Sequence, residues 1–370
     1  MRIAFCADVH LGNHRRMGGP VVAGVNSRGR LALETFESAV QRSVSLGCKA
    51  LVVLGDLLDT SSPEPQLLAE IQEIVKDAPV IIVMGNHELV SSAAGDHALG
   101  PLVPVADVIE KPQIVDFGHV ELWVVPFSPG RATDWLPSVM AEMQGSASVG
   151  RQPRPVRVLA LHLGLSDGKT PPWLIDAHDS VSVELVQKLC AQYSIDHVFA
   201  GNWHNRNQWP GILQVGTLCP TGWDNPGLDG YGGLAVLTVG DDRVFGQLEI
   251  QEIPGPRFLK ITEPLSDANL QNLKDAGHSI FVRNIAPPEF LDIAKEWLER
   301  VKAEGLIAGG EVEPEGTEER VAAITAAHSA KSATTLDEAV ASFVRDMALP
   351  DDVDRGAVLA RVKSYLGGAS

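Results

Sequence analysis

Residues 50–56 read ALVVLGD and residues 80–86 read VIIVMGN. Each is an aliphatic, β-branched run that is too short for a helix and stops at a glycine followed by a polar side chain. The same ending returns in DHVFAGN at 196–202, whereas RIAFCAD at 2–8 and VRVLALH at 156–162 stop directly at a polar side chain, and ELWVVPF at 121–127 is a further run. Unbroken apolar runs describe strands covered on both faces, because half-exposed strands alternate apolar and polar. Amphipathic patterns over 29–46, 65–76 and 182–193 supply helices between the strands, and GGLAVLTV and FGQLEI extend the sheet pattern towards residue 254. The expected fold class is α/β, with sheets flanked by helices. Polar groups at the carboxyl ends of the strands should then meet in one crevice.

Outward from this core, a chain of 370 residues with 45% apolar content has room for two or three domains. The PGP at 254–256 closes the first, expected over 1–254. A smaller α/β unit is expected over 255–313, from strands at 257–262, 279–284 and 306–312 and helices at 266–276 and 287–304. The acidic stretch GGEVEPEGTEER leads into a linker at 314–332. A helical hairpin is expected over 333–370, where Leu336, Val340, Phe343, Val344 and Met347 share one face and call for something to cover it.

The net charge of −17 argues against a protein that coats nucleic acid through bulk charge, although it does not exclude nucleic acid as a substrate. Basic residues are concentrated just after the first strand, at Arg15, Arg16, Arg28 and Arg30. These are candidate contacts to a DNA backbone, and an ordinary solvated loop is an equal reading. Cys6, Cys48, Cys190 and Cys219 are scattered without a CxxC pair, which fits a reducing compartment. The N-terminus carries no signal-peptide pattern, and no apolar stretch approaches the roughly 20 residues needed to cross a bilayer. The expectation is a cytoplasmic protein without a membrane partner.

Candidate ligands sit where the apolar runs stop. Asp8 and His10 follow the first in CADVHLG, Asp56 the second in LGDLLD, and Asn86 and His87 the third in MGNHE. His162 ends VLALH, and His204 closes the turn GNWH. Carboxylate, amide and imidazole groups without thiolate disfavour a structural zinc. They suit a pair of first-row divalent ions in an open hydrolytic centre.

Taken in order over residues 8–204, DVH, GDLLD, GNHE, the LH and the turn ending in His204 resemble the signature of the calcineurin-like metallophosphoesterases. The resemblance implies a sandwich of two sheets flanked by helices, and two divalent ions, with manganese as the expected metal. It implies that Asp8, His10 and His204 hold the first ion, that Asn86 and His162 hold the second, and that Asp56 bridges them. His87 would protonate the leaving oxygen instead of binding metal. Asp59 would either orient a neighbouring group or cap a helix start. The family usually has histidine where this chain has Asn202. An amide oxygen there would make a weaker second site, or Asn202 shapes the turn alone.

The family's protein phosphatases carry an arginine after the second motif, where this chain has Thr60, Ser61 and Ser62. DVHLG, the VVLGDLLDTSSPEP segment, VGTLCPTGWDNPG at 215–227 and the order of units resemble the SbcD nucleases, including phage-type members. That resemblance implies a homodimeric DNA nuclease whose small unit guides DNA and whose C-terminal hairpin binds an SMC-like ABC-type ATPase subunit. A stand-alone phosphodiesterase on small nucleotides and a catalytically weakened DNA-binding homologue are the alternatives.

Overall fold

The computed structural model describes residues 1–14, 17–22, 24–91, 96–148, 154–168, 179–223, 232–240 and 247–316. Among these, seventeen strands and six α-helices follow the rhythm set by the apolar runs. The first half contains β1 (Arg2–Cys6), α1 (Ser27–Ser45), β2 (Leu51–Leu54), α2 (Pro65–Val75), β3 (Val80–Val83), β4 (Asp107–Ile109), β5 (Gln113–Asp116), β6 (Val120–Val125), α3 (Ala132–Ser146) and β7 (Val156–Leu161). Then come β8 (Gly164–Ser166), β9 (Ser180–Ser182), α4 (Val183–Tyr193), β10 (His197–Ala200), β11 (Asn207–Trp209), β12 (Ile212–Gln214), β13 (Gly232–Thr238) and β14 (Gln247–Ile253).

Two six-stranded sheets form the sandwich, in the orders β14-β13-β1-β2-β3-β4 and β11-β12-β10-β7-β6-β5. Strand periodicity divides the core. Ala4, Cys6, Leu51 and Val53 face α1 and α2, whereas Ile3, Phe5, Val52 and Leu54 meet Val158, Ala160 and Phe199 of the second sheet. Phe5 and Phe199 stack with centroids 3.9 Å apart in that middle layer. Trp123, Leu159 and Val198 turn outward under α3 and α4. Every residue of β2, β3, β6 and β7 is buried, as the unbroken apolar runs require.

The short strands β4, β5, β11 and β12 and the helix α3 were not expected from the sequence. The three- and four-residue strands carry too little pattern to stand out, and Pro137 inside α3 argues locally against a helix.

The small α/β unit contains β15 (Pro256–Ile261), α5 (Asp267–Asp275), β16 (Ser279–Ala286), α6 (Leu291–Ala303) and β17 (Gly309–Pro314), with sheet order β15-β16-β17. The strand expected at 306–312 is β17, which runs on to Pro314 at the start of the expected linker. Glu311 is ion-paired with Arg283 of β16, which removes the reason for that acidic residue to sit in open solvent. The compact unit Met1–Val312 contains both large sheets and this smaller sheet. Glu313–Ser370 forms a second unit, of which only residues 313–316 are described. The expected hairpin over 333–370 and nearly all of the expected linker lie outside the described residues. No helix among the described residues is long and apolar enough to cross a membrane.

Candidate metal centre

The strands carrying the polar termini run parallel: β1 with β2, β2 with β3, and β7 with β10. Their carboxyl ends therefore open on the same side. Two bonds close the sheets on each other there. His162 Nδ1 donates to the Leu54 carbonyl at 2.6 Å, and the Asn202 backbone N–H donates to Asp8 Oδ1 at 2.9 Å.

The backbone at this edge is held in an unusual state. Asp8, His10, Asp56 and Asn202 all have positive φ, between 49° and 77°, a conformation that costs roughly 1–3 kcal/mol in a non-glycine residue. Gly85 allows the close approach. A Cβ there would lie 2.2 Å from Asp56 Oδ1, so only glycine lets the third strand's end pass over the second's.

Three groups of side chains converge: Asp8, His10 and His204; Asp8, Asp56 and His162; and His10, Asp56 and His87, with the ligand atoms of each group within 4.8 Å of one another. Asp8, His10, Asp56 and His162 are buried. Asp8 Oδ2 is buried without a hydrogen-bond partner. The Leu54 carbonyl can only accept, so His162 carries a proton on Nδ1 and turns Nε2 inward, 3.0 Å from Asn86 Oδ1 and 3.3 Å from Asp56 Oδ2. Two oxygens this close to Nε2 call for positive charge there, a proton on Nε2 in the metal-free protein or a metal ion in its place. His10 Nδ1 lies 3.5 Å from Asp59 Oδ1, which turns its Nε2 towards His204 Nε2 at 2.9 Å. These residues fit divalent metal, with nitrogen and oxygen donors and no sulfur.

The electrostatics point the same way. Burial pushes the Asp8 carboxyl up to about 6. Burial opposes charge on His162, yet the Asp56 and Asp8 carboxylates outweigh it and push its pKa up to about 10. Burial would also raise Asp56, but His162, His10 and His87 hold it below the usual carboxylate range. His204 is driven down to about 3, by burial and then by His10. Without a metal, His162 supplies the positive charge that the two buried carboxylates demand.

His87 stands on the rim with its side chain 40% exposed. Its backbone N–H donates to Asp56 Oδ1 at 3.0 Å, and its Nδ1 donates to the Asp59 carbonyl at 3.1 Å. Asp59 thus orients both His87 and His10. It does not cap a helix, since α2 starts at Pro65 behind Glu64.

A model of the calcineurin-like phosphoesterase family matches residues 1–206 of the 370. The chain belongs to that family. The family's fold carries divalent metal ions, and Asp8, His10, Asp56, Asn86, His162 and His204 are the residues that would hold them here. Bound there, such ions lower the pKa of a water and neutralise charge on a phosphoryl group. No curated protein matches the chain. Among solved structures, a Staphylococcus aureus protein described as a 5'-nucleotidase aligns at 15% identity over 75% of this chain and 58% of its own, with a TM-score of 0.43. A purple acid phosphatase from yellow lupin aligns at 15% identity over 64% and 49%, TM-score 0.39. A dimetal phosphatase from Danio rerio aligns at 14% identity over 68% and 98%, also 0.39. The chain spans little more than half the length of the first of these.

Two features depart from the sequence reading. Arg28 is no surface contact for DNA: it is 1% exposed, donates to the Pro220 carbonyl at 3.1 Å and packs on Phe258 and Phe281. Arg30 is held by Glu70 of α2 through both terminal guanidinium nitrogens. Arg15 and Arg16 lie outside the described residues. Glu88 is the residue the motif reading passed over. It is fully buried and accepts backbone N–H groups from Asp56, Leu58 and Gly85 at 3.2, 2.8 and 2.7 Å. The signal was present as a carboxylate directly after His87.

Asn202 contributes its backbone to Asp8, and its side-chain nitrogen donates to the Asp179 carbonyl at 2.9 Å. Asn202→Gly, which tolerates the φ of 77°, is therefore expected to keep the metal stoichiometry of the wild type in a manganese titration. Loss of one ion would assign the amide oxygen as a ligand.

Proposed function

We propose that the chain is a metal-dependent DNA nuclease of the SbcD type, hydrolysing phosphodiesters at a manganese pair. The observation that supports this most is His87. Its exposed ring is turned by the Asp59 carbonyl so that Nε2 faces the ligand cluster, 4.0 Å from Asp56 Oδ2. A general acid in that place suits a substrate whose leaving group is a sugar alkoxide, a strong base that departs only when protonated. The small unit is fixed beside the metal-bearing loops, where a polymer could be guided. The ATPase partner belongs to the same proposal, through residues 333–370, as does the homodimer.

The engagement of Arg28 and Arg30 within the protein favours a second reading, a phosphodiesterase on small nucleotides. End-labelled linear DNA and a cyclic dinucleotide, each incubated with the purified chain and manganese, separate the two. Nucleotide release from DNA is the expected result. Turnover confined to the small diester would replace the nuclease reading. The partner is tested by deleting residues 333–370 and asking whether the ATPase still co-purifies.

A further inference from the structure

Residues 217–223 run from the metal-bearing loops to the small unit. Thr217 N–H donates to the His204 carbonyl at 3.0 Å, Leu218 N–H to the Ala7 carbonyl at 2.8 Å, and Thr217 Oγ1 to the Asp8 carbonyl at 2.5 Å. The start of the segment is thus bonded to the main chain of two candidate ligands of the first metal. Its end is bonded elsewhere. The Trp223 indole N–H donates to the Leu259 carbonyl in β15 at 3.0 Å, and Arg283 of β16 lies over the Trp223 ring at 4.8 Å.

Arg28 braces this segment from the side. It leaves the first turn of α1, donates Nη2 to the Pro220 carbonyl, and sets its guanidinium carbon 4.7 Å from the ring centroids of both Phe258 and Phe281. Those rings belong to β15 and β16 and stack on each other with centroids 4.9 Å apart. Arg28 Nε and Nη1 are buried without hydrogen-bond partners. As filler, such a cation is a poor choice, because a methionine of similar length would occupy the space without the desolvation penalty. What methionine could not do is hold the Pro220 carbonyl and the aromatic pair at once.

We propose that Arg28 is a positioning residue, which through residues 217–223 couples the seating of the small unit to the placement of Asp8 and His204. The second ligand set is supported independently. His162 is held by Leu54, and Asp56 by Glu88, neither through this segment. Loosening the brace therefore weakens one metal site and spares the other.

Arg28→Met and Trp223→Phe, each made in the full chain and stripped of metal, are titrated with manganese and followed by calorimetry. Asp8→Asn serves as the reference that identifies the first site. Hydrolysis of bis(p-nitrophenyl) phosphate at low and saturating manganese supplies the KM-against-kcat comparison. The first site is expected to weaken about tenfold or more, in the range found when groups behind metal ligands are removed, with the second unchanged and kcat recovered at saturating metal. Wild-type affinity at both sites overturns the proposal, as does an equal loss at both that follows a fall in thermal stability. If Arg28→Met does not fold, Trp223→Phe decides by the same criterion, since it removes the N–H to Leu259 and leaves a smaller aromatic ring in place. The readout is manganese binding, so failure of the DNA reading leaves it untouched.

Discussion

His87→Ala protein is expected to bind metal as the wild type does and to hydrolyse DNA phosphodiesters about 10²–10⁴-fold more slowly. The Asp59 carbonyl accepts from Nδ1 and cannot donate, so Nε2 is the atom that meets substrate. The side chain is exposed enough to be reached, unlike Asp8 or His162, which are fully buried. The loss should depend on the leaving group. A p-nitrophenolate departs without a proton and should show a much smaller defect than a sugar alkoxide, which separates general acid catalysis from any disturbance of the metals. The ring also lies within coordinating range of the His10 and Asp56 group. A fall in bound metal in the His87→Ala protein, with equal losses on both substrates, would make His87 a ligand and refute the acid role.

Glu88→Ala is expected to destabilise the metal-free protein by about 3 kcal/mol or more, because each buried N–H left without an acceptor costs about 1–3 kcal/mol. Three such groups, on Asp56, Leu58 and Gly85, depend on this one carboxylate. Asp56 needs the support in particular, as its positive φ persists only where its surroundings enforce it. Chemical denaturation monitors the loss, and manganese affinity should fall with it. Glu88→Gln keeps one carbonyl oxygen as an acceptor and should lie between the alanine variant and the wild type. An alanine variant as stable as the wild type would show that water replaces the carboxylate.

Much of the converging cluster was legible in the sequence because it is written locally. An apolar run that ends in a carboxylate, amide or imidazole, in three cases after a glycine, specifies both a strand and the side chain at its exit. Five such endings in order placed Asp8, Asp56, Asn86, His162 and the turn to His204 before any tertiary information was used. Glu88 was missed for a related reason: its partners are the backbone of residues 56–58, about thirty positions away, and backbone amides leave no mark in a sequence. Arg28 was misread because an arginine in a glycine-containing segment looks the same whether it meets solvent or an aromatic pair more than 200 residues later.

By itself, then, the sequence determined the long buried strands, the order of the polar termini and the chemistry they can support, since apolar burial and strand exit depend on neighbours within a few residues. Tertiary structure alone decided which atoms of those residues face inward. The Leu54 carbonyl selects the His162 nitrogen that is free, and the Asp59 carbonyl selects that of His87. It also decided that Asn202 turns its amide nitrogen to Asp179, and that Arg28 serves the packing of the small unit instead of a ligand. Hydrogen bonds and ring contacts between distant segments are set by where the sheets bring the backbone, and no local pattern carries that information.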